Sequence, residues 1–306
     1  MRPQTSSPRT RGRLSPNSLG SLYMVIGSLG YVVNDGLIRA ATDQGLDVFQ
    51  ALFLRGLTMT VILAGFMAAT GQAFARSQLG GPLVVRVGAE LGASALFFAG
   101  LVQLEFANAQ TILMLVPFAV TVAAAALLHE PVTARHYLAV ILGFAGVIAV
   151  MRPLPGQFSA WSIVVAVSAL FLVVRELATR RIDRSVSPLP IAALTAFALT
   201  VLTGMISVLT GWGPINRTAL VQLGVACICL IVGYFFTIQT VRVGDLSVSA
   251  PFRYSTLVGA VLIGVIAFDE TPDALTPVGC GLIIGAGVYT TQLDRRGRRY
   301  ETAVRA

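Results

Sequence analysis

The stretch LSVSAPFRYSTLVGAVLIG, residues 246–264, contains one charged side chain, Arg253, among residues that are apolar, small or hydroxylated. It is about as long as the roughly 20 residues that an α-helix needs to cross a hydrocarbon layer about 30 Å thick. A guanidinium inside such a helix is costly unless it meets a partner or a water-filled cavity. The stretch therefore predicts a membrane span with a paired or functional arginine, and Pro251 predicts a break in its helix.

Apolar runs of this kind fill most of the chain. Hydrophobic residues make up 55% of the sequence and charged residues 12%, and the mean hydropathy is +0.78. Too few polar residues remain to cover a soluble body of this size. We predict an all-α polytopic membrane protein with ten transmembrane helices, near residues 18–38, 48–70, 82–104, 107–128, 134–151, 159–181, 188–210, 217–240, 246–268 and 275–293.

The distribution of arginine predicts the orientation in the membrane. The chain has no lysine, and all 22 basic residues are arginines. With the N-terminus in the cytoplasm, 16 of them lie in cytoplasmic segments, three lie on the other side, and three lie within spans. This positive-inside bias predicts that both termini are cytoplasmic, with a disordered tail over 1–17 and a basic tail over 294–306. The net charge of +8 then reflects topology and attraction to anionic membrane lipids, so nucleic acid is not a predicted partner.

The chain contains a weak internal repeat at an offset of 140 residues. It aligns Glu105 with Asp245, and Glu130 with Glu270. The halves are 18–151 and 152–293, each with five predicted helices. Because five is odd, the second half must insert upside down relative to the first. Inverted repeats of this kind are typical of alternating-access carriers, whose substrate site lies near mid-membrane between the halves.

With these features the chain resembles the EamA-type transporters of the drug/metabolite transporter (DMT) superfamily. The resemblance rests on the ten predicted helices, FLRG at 53–56, Pro117 within the fourth helix, and a glutamate closing the fourth and ninth helices. It implies a central cavity lined by the earlier helices of each repeat, with the fifth and tenth helices packed behind. The segments NDGLIRA, FLRGL, APFRYS and FDETPD resemble the S-adenosylmethionine uptake branch in particular.

Polar residues inside predicted spans are the candidates for the substrate site, because intramembrane ionisable groups usually face a cavity or a partner. Arg253 and its aromatic neighbours suit a compound with a carboxylate or phosphate and a ring-bearing body. Two acids have an alternative interpretation as helical ion pairs, Asp35 with Arg39 and Glu90 with Arg86. The predicted substrate-binding residues are Arg253, Tyr254, Arg55, Asn34, Asp35, Glu90, Asn108, Gln110, Tyr31 and Tyr234.

No catalytic, metal or cofactor motif is recognisable in the sequence. His129 and His136 lie seven residues apart, which is not the spacing that places two zinc ligands on one helical face. Cys227, Cys229 and Cys280 all fall within spans and suggest no disulfide framework. The sequence therefore predicts a secondary active transporter of a small metabolite that is not an enzyme and needs no cofactor.

The sequence leaves open several alternatives for the function, the coupling and the oligomeric state. A lipid-linked substrate flippase uses the same kind of helices, and an intramembrane enzyme is a weaker alternative. Coupling to protons through Asp35 or Glu90 and exchange against a second metabolite are both compatible with the sequence. Gly281 and Gly285 predict close packing of the tenth helix within the chain, with a homodimer face as the alternative. The expected location is the inner membrane of a bacterium.

Overall fold

The computed structural model describes residues 15–72, 80–128, 133–151, 159–183 and 186–305. All regular structure in these ranges is helical. The helices are α1 (Pro16–Thr42), α2 (Val48–Thr70), α3 (Gly81–Leu101), α4 (Phe106–Leu113), α5 (Leu115–Leu128), α6 (Ala134–Met151), α7 (Ala160–Arg180), α8 (Pro188–Thr210), α9 (Arg217–Val243), α10 (Leu246–Ser249), α11 (Ser255–Phe268) and α12 (Leu275–Arg305). A 3₁₀ helix, Ala250–Tyr254, joins α10 to α11.

Nine helical segments within these ranges are long and apolar enough to cross a membrane. Two of them are composite, Phe106–Leu127 across α4 and α5, and Ala250–Phe268 across the 3₁₀ helix and α11. α12 is not among the nine, although it is 31 residues long. Many large apolar side chains point outward, including Val61, Ile141 and Val208, which are 64%, 64% and 75% exposed. An apolar exterior of this kind confirms an integral membrane protein.

Glycines set the closest helix contacts. On α1, a Cβ built on Gly30 would lie 2.8 Å from the Cys229 carbonyl oxygen and 3.0 Å from the Gly233 nitrogen of α9. On α6, a Cβ on Gly146 would lie 2.7 Å from the Gly279 carbonyl oxygen of α12. Such small faces let two backbones approach closely where there is no hydrophobic driving force between helices. The principal helix pairs are α1 with α9, α3 with α7, α2 with α8, and α6 with α12.

The small-residue face of α12 is only partly used within the chain. Gly279 lies against Gly146, and Gly287 receives the ring of Tyr254. Gly281 and Gly285, in contrast, have no neighbouring atom within 4 Å of a built Cβ. Intramolecular packing therefore accounts for the first pair of glycines, and the Gly281–Gly285 face is open in this single chain.

Two spans are interrupted at equivalent places. The break predicted at Pro251 is confirmed, because the chain passes from α10 through the 3₁₀ helix Ala250–Tyr254 into α11. In the first half, α4 ends in a turn at Met114, three residues before Pro117, whose ring excludes a regular helical bond to the carbonyl of Leu113. Met114 and Tyr254 are separated by the same 140 residues that relate the two halves.

The bundle has a terminal end and a distal end. The terminal end is where α1 begins, and there the backbone amide of Asp245 donates to the Asn17 side-chain oxygen at 3.1 Å. The opposite, distal end carries the α1–α2 and α8–α9 connections. At the distal end, the Asp47 carboxylate accepts from the amides of Phe49 and Gln50 and so caps the start of α2. Of the tail expected over 1–17, the structure describes only the residues from Ser15 onward. The tail expected over 294–306 is part of α12, which continues to Arg305.

Candidate functional site

The guanidinium of Arg55 lies at the centre of the bundle without a polar partner. Arg55 is 7% exposed, and within the described residues it makes no hydrogen bond or ion pair. Its guanidinium carbon lies 5.0 Å from the centroid of the Phe98 ring of α3. None of its nitrogens is among the fully enclosed unpartnered atoms, so the small exposed fraction belongs to the charged group. The Arg55 guanidinium therefore keeps a small accessible area inside the bundle, and the space beside it is called the hollow.

Two tyrosines border the same hollow. Tyr31 of α1 and Tyr234 of α9 meet edge to face, with ring centroids 5.6 Å apart. Tyr234 is 48% exposed, yet it lies within electrostatic range of Glu90, Arg175 and Arg55 on three other helices. A lipid-facing side chain would not be surrounded by charges in this way. The exposed side of Tyr234 therefore faces an internal space between α2, α3, α7 and α9.

Asp35 lies distal to the tyrosines in a network of amide side chains. One carboxylate oxygen accepts from the Asn34 side chain at 2.9 Å, and the other accepts from the Gln110 side chain of α4 at 2.8 Å. Asn34 and Gln110 are 1% and 2% exposed, and the side-chain oxygen of Asn34 has no hydrogen-bond partner in the described ranges. Asp35 does not pair with Arg39, so the network joins α1 to α4 instead of closing a helical ion pair.

Glu90 lies toward the terminal end and pairs across two helices. Its carboxylate lies 3.0 Å from Arg175 of α7, and the two side chains are 19% and 30% exposed. Arg86 donates to the Thr195 hydroxyl of α8 at 3.1 Å and not to Glu90. The ion pair of Glu90 and Arg175 therefore joins α3 to α7. It also places two charged groups near Tyr234 at the wall of the hollow.

Arg253 and Tyr254 diverge although they are adjacent. Arg253 is exposed on the 3₁₀ helix and lies within electrostatic range of Tyr31. Tyr254 turns away and packs against Gly287 of α12 and the apolar core. The structure thus brings Arg253 near the tyrosines at the terminal side of the hollow, whereas Tyr254 lies in a helix interface.

Asn108 lies apart from the central residues. Its side chain donates to Glu105 at 2.9 Å at the start of α4. The predicted residues that hydrogen bonds or electrostatic proximity connect to one another are therefore Arg55, Tyr31, Tyr234, Asp35, Gln110, Asn34, Glu90 and Arg253.

Sequence reasoning missed two partners. Phe98 looks like any other core phenylalanine in the sequence, and only its place under Arg55 distinguishes it. Glu270, which the sequence shows only as the glutamate that closes the ninth helix, accepts from the backbone amides of Phe106 and Ala107 and so caps α4. It also lies 3.3 Å from Arg39. The equivalent Glu130 lies outside the described residues.

Hydrogen bonds close the distal end. The Gln50 side chain is fully buried, accepts from the Gly213 amide at 2.9 Å and donates to its carbonyl at 3.4 Å. Gln44 donates to Gln222 at 3.3 Å, and Thr210 donates to Asp47 at 3.1 Å. These bonds join the α1–α2 connection to the region around the α8–α9 connection.

A separate groove of ≈ 610 Å³ opens at the terminal end between α1, the 3₁₀ helix and α12. Its walls combine polar residues such as Asn17 and Gln292 with apolar residues such as Leu22 and Phe252. Among the described residues, no cluster of three His, Cys, Asp or Glu side chains is placed to hold a metal ion.

Comparison with known proteins places this arrangement among metabolite transporters. The chain is 21% identical to a riboflavin transporter of Vibrio cholerae, over 92% of this chain and 96% of the relative. It is 24% identical to a pseudopaline exporter of Pseudomonas aeruginosa, over 90% of this chain and 97% of the relative. An S-adenosylmethionine uptake transporter of Rickettsia prowazekii is 20% identical over 64% of this chain and 67% of its own length.

A solved crystal structure shares the fold, with a TM-score of 0.64 and 21% identity over 89% of this chain and 99% of that chain. The EamA-like transporter family model matches the chain twice, over residues 18–152 and 159–291. Together these matches cover nearly all of the described bundle, and the relatives are transporters and not enzymes. The chain therefore belongs to the EamA-like transporter family of the DMT superfamily.

Proposed function

We propose that the protein is a secondary active transporter that moves a small metabolite across the inner membrane of a bacterium by alternating access. The observation that carries the proposal is the partner-free Arg55 guanidinium, which faces a hollow bordered by Tyr234. An unpaired charge in a membrane protein is typical of a substrate or ion pathway. The hollow then serves as the substrate site, at the depth where carriers built from two repeats bind their substrates.

The proposal includes ten spans in two inverted repeats, 18–151 and 152–293, with α12 as the tenth span. The two family matches support these halves. The helix pairs support the inversion, because exchange of the halves maps α1·α9 onto α7·α3 and leaves α2·α8 and α6·α12 unchanged. The equivalent breaks at Met114 and Tyr254 follow the same relation.

The conformation described here is proposed to be open toward the terminal end, which the arginine distribution assigns to the cytoplasm. The distal bonds of Gln50 with Gly213 and of Gln44 with Gln222 support this assignment. So does Arg253, which is exposed near Tyr31 on the terminal side. Transport then requires the distal bonds to break while the terminal side closes, driven by a proton gradient or by exchange of a second metabolite.

The substrate is proposed to be an amino-acid-like or nucleoside-like metabolite, or an organic anion or zwitterion. The three relatives are a riboflavin transporter, a pseudopaline exporter and an S-adenosylmethionine uptake transporter, and each name denotes that relative's own substrate. For this chain, the paired tyrosines supply ring surfaces and the polar groups supply charge complementarity. A compound with both a ring and a charge fits these walls better than a simple ion does.

Reconstituted protein tests the carrier. Purified full-length chain in proteoliposomes is expected to take up radiolabelled S-adenosylmethionine saturably, and faster when the unlabelled compound is loaded inside. A reversible dithiol crosslink between Gln44→Cys and Gln222→Cys should stop uptake until it is reduced, because it locks the distal bond. The single Gln44→Cys variant, treated in the same way, is the control. Uptake that is unaffected by the crosslink would contradict alternating access through the distal end.

A lipid flippase is the second candidate, and the groove of ≈ 610 Å³ is the observation that favours it. Its mixed polar and apolar lining at the terminal end resembles what a lipid headgroup and its chains require. Movement of a fluorescent phospholipid between leaflets, with no saturable uptake of soluble compounds, would favour this function over the carrier.

A further inference from the structure

Arg55 differs from the other interior arginines in having no polar partner among the described residues. Arg39 pairs with Glu270, Arg175 pairs with Glu90, and Arg86 donates to Thr195. These three therefore have structural roles in joining helices. Arg55 has only the ring of Phe98, although it is 7% exposed and lies in the middle of the bundle. Its charge is consequently available to a ligand.

The nearby carboxylates are already engaged. Arg55 lies within electrostatic range of Asp35 and Glu90, but it forms an ion pair with neither. Both oxygens of Asp35 accept from amide side chains, and Glu90 is held by Arg175. Counting also Arg86, Arg253 and Glu176, which lies 3.8 Å from Arg175, the charged groups near the hollow comprise four arginines and three acids. With all three acids ionised, one positive charge is in excess, which attracts anions.

Phe98 lies beside the guanidinium without taking up its donors. The guanidinium carbon is 5.0 Å from the ring centroid, and the N–H groups have no hydrogen-bond partner among the described residues. A guanidinium presented by its edge matches the two oxygens of a carboxylate or phosphate, a geometry that lysine does not reproduce. Tyr31 and Tyr234 lie toward the terminal side and supply ring surfaces for the rest of the ligand.

We propose that Arg55, positioned by Phe98, binds the anionic group of the transported metabolite, so that the substrate class is a ring-bearing compound with a carboxylate or a phosphate. This inference rests on the proposed carrier function and makes it more specific. It assigns the principal anion contact to Arg55 and not to Arg253, which is exposed near the terminal side.

The local charge is measurable without knowledge of the substrate. In a chain whose three native cysteines are replaced by alanine, Tyr234→Cys places one thiol at the wall of the hollow. An anionic methanethiosulfonate reagent should modify it faster than a cationic one of similar size. Arg55→Gln should lower this ratio by on the order of tenfold, as expected when a unit charge at close range is lost. Arg253→Gln should change the ratio less.

Arg55→Lys keeps the positive charge but removes the planar guanidinium, so it separates the effect of charge from that of geometry. It also provides a second variant in case Arg55→Gln does not fold. It should preserve most of the reagent ratio but weaken protection of the thiol by bidentate anions. Protection is measured with two matched pairs, tryptamine with tryptophan for the carboxylate, and adenosine with adenosine monophosphate for the phosphate. Stronger protection by the compound that has the carboxylate or phosphate, lost in Arg55→Gln, supports the proposal and identifies which anionic group is preferred.

A reagent ratio that does not depend on Arg55 would overturn the proposal. So would equal protection, in both pairs, by the compound that has the carboxylate or phosphate and the compound that lacks it. Neither readout requires transport, so failure of the carrier function would appear separately, as absent uptake in proteoliposomes with the Arg55-dependent ratio intact.

Discussion

The Glu270 carboxylate lies 3.3 Å from the Arg39 guanidinium, and its oxygens also accept from the backbone amides at the start of α4. Arg39 in turn donates to the carbonyl oxygens of Leu101 and Leu104 at the end of α3, and its guanidinium lies 4.7 Å from the Phe268 ring centroid. One ion pair therefore joins α1, the α3–α4 connection and the segment that follows α11. It satisfies polar groups at helix ends that water would otherwise have to solvate.

Glu270→Ala should lower the free energy of unfolding by about 2–4 kcal/mol, because it removes the cap of α4 and leaves Arg39 buried without its partner. Glu270→Gln keeps an oxygen for the α4 amides and should cost about half as much. Reversible unfolding in mixed detergent gives both values. The neighbouring Asp269→Asn is the control, because asparagine tolerates the positive φ of 50° found there. Equal stability of the glutamine variant and the unmodified chain would show that the ion pair contributes nothing.

The pair of Glu90 and Arg175 should show an energetic coupling of about 1 kcal/mol, since both side chains are partly exposed and their attraction is partly screened. A double-mutant cycle with Glu90→Gln and Arg175→Gln measures it, because the sum of the single changes should exceed the change in the double variant. Arg86→Gln combined with Glu90→Gln is the matched control and should be additive, since Arg86 bonds to Thr195. Coupling of Glu90 to Arg86 instead of Arg175 would contradict the observed pairing.

Gly30→Ala should destabilise the protein by about 1–3 kcal/mol, because the added methyl group meets backbone atoms of α9 that cannot move aside easily. The nearest of these atoms is 2.8 Å from the built Cβ. Gly281→Ala introduces the same methyl group into an open space and should be neutral or slightly stabilising, given the higher helix propensity of alanine. Thermal unfolding of both variants in one detergent compares them directly. Equal effects would show that the close contact of α1 with α9 does not limit stability.

The arginine distribution predicts which end faces the cytoplasm. In a cysteine-free chain, Thr218→Cys at the distal end should react with a membrane-impermeant maleimide in intact cells. Ser18→Cys at the terminal end should react only after the membrane is opened. Both positions are exposed in the structure, so a difference in labelling reports sidedness and not burial. The reverse pattern would contradict the cytoplasmic assignment of the termini.

The sequence predicted the elements of the fold better than their contacts. Span positions could be predicted because each helix in a membrane must be apolar over its own length, which is a local requirement. The break near Pro251 was predictable for the same reason, since a missing backbone donor acts within one turn. The interruption at Met114 was less visible, because its cause, Pro117, lies three residues farther along the chain.

The polar pairings were not predictable in the same way. Arg39 has Asp35 four residues before it, and Glu90 has Arg86 four residues before it, so the sequence offers two helical ion pairs. The structure uses neither, and joins Arg39 to Glu270 and Glu90 to Arg175 on other helices. Tyr254 is a similar case, because its neighbour Arg253 is exposed while its own ring packs on Gly287.

By itself the sequence determined that this chain lies in a membrane, that it is built from two related halves, and which few polar residues are held inside it. Only the tertiary structure decided that Arg55 lies over Phe98, with no polar partner in the part of the chain that the structure describes, and that Glu270 pairs with Arg39 and caps α4. The physical reason is that hydrophobic insertion depends on composition along one helix, whereas ion pairs, ring contacts and cavities depend on the rotation and register of several helices at once.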